Sequence, residues 1–439
     1  MRIKTSFIAK GLFRQSTKRY SAPLFLQFLL FIILGQVSGE TKPPAKKADF
    51  ADFDKQARSG ERLSVVFFGA SLTWGANASD PMKSSYRAIV ANKLEEKYPM
   101  ARFKFHDAAI GGTGSQLGVF RLERDVLKYQ PDLVFLDFSA NDGITTSDSE
   151  TLSSYEAIVR QLVKYNRVPV VQVAFPFLWN VKYGSPESLK RLIAHKRISK
   201  AYQTAFGDAV RHCREKISSG EASFESVWPF DGVHPGDEGY KLFANAAWQA
   251  FEQAVKEKRA CRAPDEMLHE KTYTKSNRFR ISALKTLPRG WKISVPNPVA
   301  AHHDMLMSRW LDDEVVASCS KGKAPQVDPI KIQFRGRMVM LFGESTEKSA
   351  KYKLLLNGKE VEHEVQVGKK KVSSIEFNAA ELAERVKGNC QLVQLVATNL
   401  DENKKHVLEI IPLFTGKSDQ EIRLESLCVA GEKAFVFSD

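Results

Sequence analysis

The stretch Val65–Gly75, VVFFGASLTWG, decides the fold of the first half of this 439-residue chain. It opens with four consecutive apolar residues, which are typical of a strand buried on both faces of a parallel sheet. Gly69 and Ala70 then leave room for a sharp turn that presents the Ser71 hydroxyl at the end of that strand. An ordinary turn with no catalytic role can have the same residues. Whether Ser71 is a nucleophile therefore depends on finding a base and oxyanion donors further along the chain.

Residues 1–39 are predicted to be a secretory signal peptide. Six basic residues precede an apolar segment at 24–34, and the small residues of GQVSG at 35–39 offer a cleavage site after Gly39. The apolar segment is shorter than the roughly 20 residues that span a bilayer. We therefore expect a secreted or periplasmic protein that meets the membrane only transiently, with an uncleaved anchor as the alternative.

Charge and cysteine content exclude several classes of partner. The formal net charge is +14, of which the six basic residues of the leader account for +6, so 14 − 6 = +8 remains for the rest of the chain. These charges are dispersed and are not interleaved with stacking aromatics, so no nucleic acid is expected as a partner. The five cysteines lack metal-ligand spacing and no H-E-x-x-H occurs, so neither a metal nor an organic cofactor is expected. Buried thiols are the default for these cysteines.

The first half of the chain alternates predicted strands with predicted helices. Apolar runs indicate strands at 63–68, 102–108, 131–138 and 168–175, and helical patterns fall at 84–97, 117–129 and 151–166. Such alternation predicts a parallel sheet with right-handed helical crossovers, which is a three-layer α/β/α sandwich. We assign this domain to residues 61–258, after a polar Pro/Lys-rich linker at 40–60.

The second half is strand-rich. Short predicted strands, separated by turn residues, lie at 332–342, 352–356, 373–377, 392–397, 406–412 and 422–429. Asn357-Gly358 is a strong two-residue hairpin signal. We expect an antiparallel β-sandwich at 286–439, preceded by a linker at 259–285. Trp310 and the pair His302-His303 either line a ligand surface or pack, and packing is favoured for Trp310.

Polar and glycine-rich segments follow the predicted strands, where the chemistry of an open α/β sheet collects. The segment IGGTGS at 110–115 lacks both the dinucleotide-binding spacing and a P-loop lysine, so its glycines fit better a backbone amide that approaches a substrate oxygen. Asn141 adds an amide donor after the third strand. Later in the chain, Asp231 precedes His234 by three residues, close enough for the carboxylate to fix the imidazole tautomer.

Together these four segments resemble the blocks of the GDSL-type esterases, also called SGNH hydrolases. The resemblance covers about residues 60–258, with Ser71 at the nucleophile, Gly112 at the block-two glycine and Asn141 at the block-three asparagine. Asp231 and His234 match the D-x-x-H of the last block. It implies a flavodoxin-like fold, a catalytic set of Ser71, Asp231 and His234, and an oxyanion hole of Ser71, Gly112 and Asn141.

Two positions depart from the family pattern. Ala70 stands where the family usually has aspartate, and Ser139 stands where it usually has glycine. Neither position carries the proton transfers, so the departures bear on substrate preference. The α/β-hydrolase alternative is disfavoured because its nucleophile turn needs glycine two residues after the serine, and Thr73 occupies that position.

The resemblance implies a secreted carbohydrate esterase that removes acyl groups, chiefly O-acetyl groups, from a small-molecule or polysaccharide ester. Lipid acyl hydrolysis and acetyl transfer are alternatives on the same fold, and a glycan-binding envelope protein is the non-enzymatic one. The β domain is similar to jelly-roll accessory domains of carbohydrate-active esterases. Four aromatic residues in or near the predicted site mouth are candidates for stacking on sugar rings: Trp74, Phe175, Trp228 and Phe230.

Overall fold

The computed structural model describes residues 48–185, 187–297, 311–323, 326–368 and 370–438, which form one compact unit. The predicted signal peptide, Trp310 and the pair His302-His303 lie outside these described residues. Among the described residues, no helix combines the length and the apolar character needed to cross a membrane.

The first half of the chain alternates strands and helices, as its sequence predicts. The strands are β1 (Arg62–Gly69), β2 (Arg102–Ala109), β3 (Leu133–Leu136), β4 (Val170–Ala174) and β5 (Ala205–Asp208). The helices are α1 (Phe50–Arg58), α2 (Ser71–Trp74), α3 (Tyr86–Lys97), α4 (Ser115–Asp125), α5 (Ser149–Arg160), α6 (Leu178–Lys182), α7 (Lys190–Tyr202), α8 (Ala209–Ser218), α9 (Phe224–Val227) and α10 (Asp237–Lys256).

These strands form a single parallel sheet in the order β2-β1-β3-β4-β5. Strands β3 and β4 are buried at every position and β1 is buried from Val65 onward, because nearly all of these side chains are apolar on both faces of the sheet. Helix α10 packs against α1, α3 and α8, while α4 packs against α5 and α5 against α7. The predicted three-layer α/β/α architecture is confirmed.

Both predicted linkers contain ordered structure and need correction. Residues 40–60 include α1, whose Phe50 and Phe53 are buried and pack on Phe251 of α10. Residues 259–285 include a strand, Ser276–Arg280, that pairs with the sheet of the second half. Apolar positions inside charged segments anchor both stretches to the neighbouring cores.

The second half is built from antiparallel strands. They are β6 (Ser276–Arg280), β7 (Trp291–Ser294), β8 (Glu314–Cys319), β9 (Ile330–Arg335), β10 (Met338–Ser345), β11 (Lys351–Leu356), β12 (Lys359–Glu360), β13 (His363–Val367), β14 (Lys370–Ser374), β15 (Glu376–Asn378), β16 (Cys390–Ala397), β17 (His406–Leu413), β18 (Gln420–Ala430) and β19 (Phe435–Phe437). One helix, α11 (Glu381–Val386), lies between β15 and β16. The strand expected at 332–342 is two strands, β9 and β10, that lie in different sheets.

Two sheets face each other in this half. One runs β16-β10-β18-β8-β7, with β6 also paired to β18, and the other runs β12-β11-β17-β9-β19, with β15 paired to β11. Alternate residues of both sheets, such as Leu341 and Ile332, share one hydrophobic core, so the predicted β-sandwich is confirmed. Asn357 and Gly358 both have positive φ in the β11–β12 hairpin, as a type I′ turn requires.

The outer face of the first of these sheets packs against the α/β half. Met340 and Phe342 of β10 and Cys428 of β18 belong to the same buried cluster as the α/β core. The two halves therefore share apolar packing. All five cysteines are free thiols and are buried.

Candidate active site

Ser71 lies where β1 ends and α2 begins. Ala70 is extended at the helix start, and Ser71 opens the first turn with only 6% of its surface exposed. The turn needs glycine at position 69, because a Cβ atom there would lie 2.1 Å from Thr73 Oγ1 and 2.5 Å from the Asp137 carbonyl oxygen. The strand thus delivers the serine hydroxyl to the carboxyl end of the sheet.

His234 lies beside this serine. Its Nε2 is 3.0 Å from Ser71 Oγ, although the two residues are 163 positions apart. The histidine stands in the loop before α10, where Pro235 and Gly236 keep it out of the helix. This is an ordinary hydrogen-bond distance between a serine hydroxyl and a candidate base.

Asp231 lies on the other side of the imidazole. Its Oδ2 is 3.5 Å from His234 Nδ1, which is longer than a normal hydrogen bond. Its Oδ1 accepts hydrogen bonds of 2.7 Å from the backbone amides of both Val233 and His234. Its Oδ2 also accepts a 2.8 Å hydrogen bond from the side-chain amide of Asn77, which follows the Ser71 helix. Sequence reasoning did not single out Asn77.

The local electrostatics favour a neutral histidine and an ionised aspartate. Burial lowers the pKa of His234 below its ordinary value, and the nearby Asp231 carboxylate offsets only part of that effect. Partial burial opposes ionisation of Asp231, but the His234, Val233 and Asn77 hydrogen bonds outweigh it and lower its pKa. At neutral pH Nε2 can therefore accept a proton from Ser71.

Gly112 and Asn141 follow strands that flank β1. Gly69 of β1 pairs with Ala109 of β2, and Phe68 pairs with Leu136 of β3, so the segments after these strands start at the same edge of the sheet. Gly112 has φ +72°, a conformation that favours glycine, and it is exposed like Asn141.

Asp142 joins these two loops. Its Oδ1 accepts a 2.9 Å hydrogen bond from the Ser115 amide at the start of α4. Burial raises the pKa of Asp142 to about 6. The buried Arg191 side chain of α7 donates to the Gly143 carbonyl oxygen at 3.0 Å. This arrangement fixes the backbone on both sides of the loop that carries Asn141.

Residues 67–242 match the sequence profile of the GDSL-like lipase/acylhydrolase family. These residues form a GDSL-like hydrolase domain. The chain is accordingly a serine ester hydrolase. No relative of the chain was found among curated proteins.

The fold also resembles solved two-domain structures. A crystal structure of a two-domain esterase active on acetylated mannans is 21% identical, with a TM-score of 0.63. A second crystal structure of such an esterase, co-crystallised with mannopentaose, is 23% identical, with a TM-score of 0.66. Each match covers 88% of this chain and 95% of the other. The likeness shows that the two-domain fold of this chain, a GDSL-like domain followed by a β-sandwich, is shared with these structures.

Ser139, one of the departures from the family pattern, has a clear role in the GDSL-like domain. Its hydroxyl donates to Asp137 Oδ1 at 2.8 Å and accepts from the Phe175 amide at 2.9 Å, so it joins the ends of β3 and β4. Burial raises the pKa of Asp137 to about 7, although Ser139 hydrogen bonds oppose the rise. The serine thus bonds a buried carboxyl beneath the site.

Two of the four aromatic candidates for sugar stacking are wrong. Phe175 is fully buried and stacks on Phe243 of α10 with ring centroids 4.6 Å apart, and Trp228 is 4% exposed. Both follow elements that end near the site, but their rings point into the core. Trp74 is half-buried and packs in a small cluster with Ala383 of α11. Phe230, by contrast, is 75% exposed.

One exposed aromatic residue near the site was missed by sequence reasoning. Trp179 of α6 is 44% exposed and lies against Gly232, where an added Cβ would be 3.0 Å from the indole ring. The adjacent Leu178 amide donates to the Gly232 carbonyl oxygen at 2.8 Å. A short aromatic segment after β4 was the only signal in the sequence.

The β-sandwich contacts the loop that carries Gly112. Gln391 of β16 is buried, and its Nε2 donates to the Gly111 carbonyl oxygen at 2.9 Å. The same nitrogen lies 3.3 Å from where a Cβ of Gly112 would be. The second half of the chain therefore supports the candidate oxyanion loop directly.

Proposed function

We propose that this chain hydrolyses O-acetyl esters of carbohydrate, with Ser71 as nucleophile, His234 as general base and Asp231 as the residue that steadies the imidazolium. The observation that carries the proposal is the 3.0 Å separation between Ser71 Oγ and His234 Nε2. A hydroxyl this close to a neutral imidazole loses its proton as it attacks.

In the first step, Ser71 Oγ attacks the carbonyl carbon of the ester while its proton passes to His234 Nε2. The carbon–oxygen bond to the sugar then breaks, and His234 returns that proton to the leaving sugar hydroxyl. Asp231 is ionised and faces Nδ1, so its negative charge favours the transient imidazolium. The product of this half-reaction is an acetyl-Ser71 ester.

Negative charge builds on the carbonyl oxygen during the attack. The backbone amides of Ser71 and Gly112 and the side-chain amide of Asn141 are proposed as its hydrogen-bond donors. Deacylation repeats the sequence with water: as the water oxygen attacks the acetyl carbon, one of its protons passes to His234. The bond to Ser71 Oγ then breaks, His234 returns that proton to Ser71, and acetic acid leaves and ionises to acetate in solution. Every step is supplied by side chains, backbone amides and water.

Carbohydrate is the favoured substrate class because of the surfaces beside the site. A cavity of about 220 Å³ next to Gly112 is lined mainly by polar side chains of the β-sandwich, including Asn378, Glu381, Arg385 and Gln391. Such groups suit sugar hydroxyls better than an acyl chain. The matched two-domain esterase acts on acetylated mannans, which supports an acetylated polysaccharide.

Aromatic surface near the catalytic loop supports the same substrate class. Trp179 touches Gly232, and Phe230 directly precedes Asp231, so both exposed rings border the loop that carries His234. Exposed aromatic faces stack on the apolar faces of pyranose rings. We propose Trp179 and Phe230 as substrate-contacting residues.

We also propose that the protein acts outside the cytoplasm. The basis is the leader sequence at 1–39, with its basic start, apolar segment and GQVSG cleavage site. Intact-mass measurement of the protein recovered from the producing cell tests cleavage after Gly39. A mass that retains the leader would indicate an uncleaved anchor.

The experiment measures hydrolysis of a small activated acetyl ester and of a series of longer acyl esters by the mature protein and by Ser71→Ala. We expect the variant to lose turnover and the wild type to prefer acetyl. Equal turnover by both proteins would remove Ser71 from the mechanism, and a preference for long chains would indicate a lipid acyl hydrolase. Transfer to an alcohol acceptor in place of acetate release would indicate an acetyltransferase.

A further inference from the structure

Asn77 connects the segment that carries the nucleophile to the carboxylate that faces the base. Its Nδ2 donates to Asp231 Oδ2 at 2.8 Å, and that same oxygen faces His234 Nδ1 at 3.5 Å. Asp231 Oδ1 is already bonded to two backbone amides. Asn77 therefore holds the one carboxylate oxygen that can approach the imidazole.

The backbone around Asn77 is firmly placed. The Ala76 carbonyl oxygen accepts a 2.7 Å hydrogen bond from the buried Tyr240 hydroxyl of α10. The Ser79 amide and hydroxyl donate to the two oxygens of Asp237 at the start of α10, at 2.8 and 2.6 Å. The turn after the nucleophile is thus fixed to the helix that follows His234, on both sides of Asn77.

The conformation of Asn77 is unusual for a residue with a side chain. Its φ is +68°, in the left-handed region where asparagine and glycine are the residues that fit with least strain. This backbone aims the side-chain amide across the gap to Asp231. An amide also suits the task, because it donates to a carboxylate without adding charge beside the histidine.

We infer that Asn77 is a positioning residue for the proposed reaction, acting through Asp231. Its hydrogen bond keeps Oδ2 turned toward Nδ1, so the imidazole keeps the tautomer that leaves Nε2 free to accept the Ser71 proton. The inference rests on the proposed function, since it assigns Asn77 a role only if Asp231 and His234 serve Ser71.

The test is a double-mutant cycle with Asn77→Gly and Asp231→Asn, assayed on a small activated acetyl ester. Glycine retains the positive φ and removes the side chain that carries the amide. We expect Asn77→Gly to lower kcat at least about tenfold, the scale of one hydrogen bond to a charged group, with KM changed less than about twofold. In the Asp231→Asn background the same change should have no further effect on kcat.

Asn399→Gly is the matched control, because Asn399 also has positive φ but is exposed in the β-sandwich. It should leave kcat and KM at the wild-type values. Unchanged kcat in Asn77→Gly would overturn the inference. So would a double mutant in which the losses of kcat from Asn77→Gly and Asp231→Asn multiply, because Asn77 would then act on the turn after Ser71 and not through Asp231. Full activity of Asp231→Asn alone would instead contradict the proposed function.

Discussion

Replacing Gln391 by leucine tests whether the β-sandwich supports catalysis. Gln391 Nε2 bonds the Gly111 carbonyl oxygen at 2.9 Å in a buried setting, one residue before the proposed oxyanion glycine. Leucine keeps a similar volume but has no donor. The substitution leaves a buried carbonyl without its partner, at a cost of about 1–3 kcal/mol.

The size of the expected kinetic effect follows from that cost. If the loop that carries Gly112 moves to give the Gly111 carbonyl oxygen another partner, the Gly112 amide leaves its position. Complete loss of one oxyanion donor costs about 100- to 1000-fold in kcat. The β2–β1 pairing and the Asp142–Ser115 hydrogen bond still restrain the loop, so the displacement is partial. We expect kcat to fall about tenfold, with a smaller change in KM for a small acetyl ester.

The assay is steady-state hydrolysis of a small activated acetyl ester, with thermal unfolding measured on the same protein. Gln333→Leu is the control, because Gln333 is an exposed glutamine on β9 of the other sheet. It should retain the wild-type kcat. A Gln391→Leu protein that is less stable but has wild-type kcat would refute the reasoning, because the contact would then stabilise the fold without placing Gly112.

Four further predictions follow from the described geometry. Activity should be lost as pH falls, because His234 must be neutral to accept a proton. The midpoint of the loss of kcat/KM should lie below pH 6.5, and Asp231→Asn should lower that midpoint further. A midpoint well above pH 6.5 would contradict the role of His234 as base. Gly112→Ala should lower kcat about 100-fold, because a φ of +72° strains any residue with a side chain and the added Cβ would crowd Gln391 at 3.3 Å. A wild-type kcat would contradict this. Trp179→Ala should raise KM for an acetylated oligosaccharide roughly three- to tenfold relative to KM for a small acetyl ester, and an equal change for both substrates would argue against sugar stacking. The pKa of Asp137 is raised to about 7 in the folded protein, so between pH 3.8 and 7 the folded state binds a proton that the unfolded state has lost. The free energy of unfolding, compared with that of Asp137→Asn, should therefore be highest below pH 3.8 and fall as pH rises through 7. A difference between the two proteins that stays constant with pH in denaturant titrations would exclude a raised pKa.

The architecture was largely predictable because apolar periodicity dominates it. The buried run in β1 and the alternating elements after it predict a parallel sheet, and the Asn357-Gly358 turn predicts a hairpin. Strand β5 was missed because it is only four residues long and half of it is not fully buried. Helix α1 was missed because charged residues surround Phe50 and Phe53, although their spacing with Ala57 is helical.

The proposed site was predictable only in part, because contacts across long sequence separations leave no local pattern. Asn77 reaches Asp231 over 154 positions, and Gln391 reaches Gly111 over 280. Phe175 was misassigned for a related reason: an aromatic residue after a strand has the same sequence environment whether its ring points into the core or out to solvent. Burial separates the two cases, and burial depends on the packing of α10.

The central claim is that Ser71, activated by His234, carries the acyl group. Its most direct test is covalent labelling of the folded protein with a fluorophosphonate, followed by peptide mass spectrometry. We predict one modified residue, Ser71, with no labelling of Ser71→Ala and much slower labelling of His234→Ala. Modification at another residue, or unmodified Ser71 in a protein that still hydrolyses acetyl esters, would contradict it.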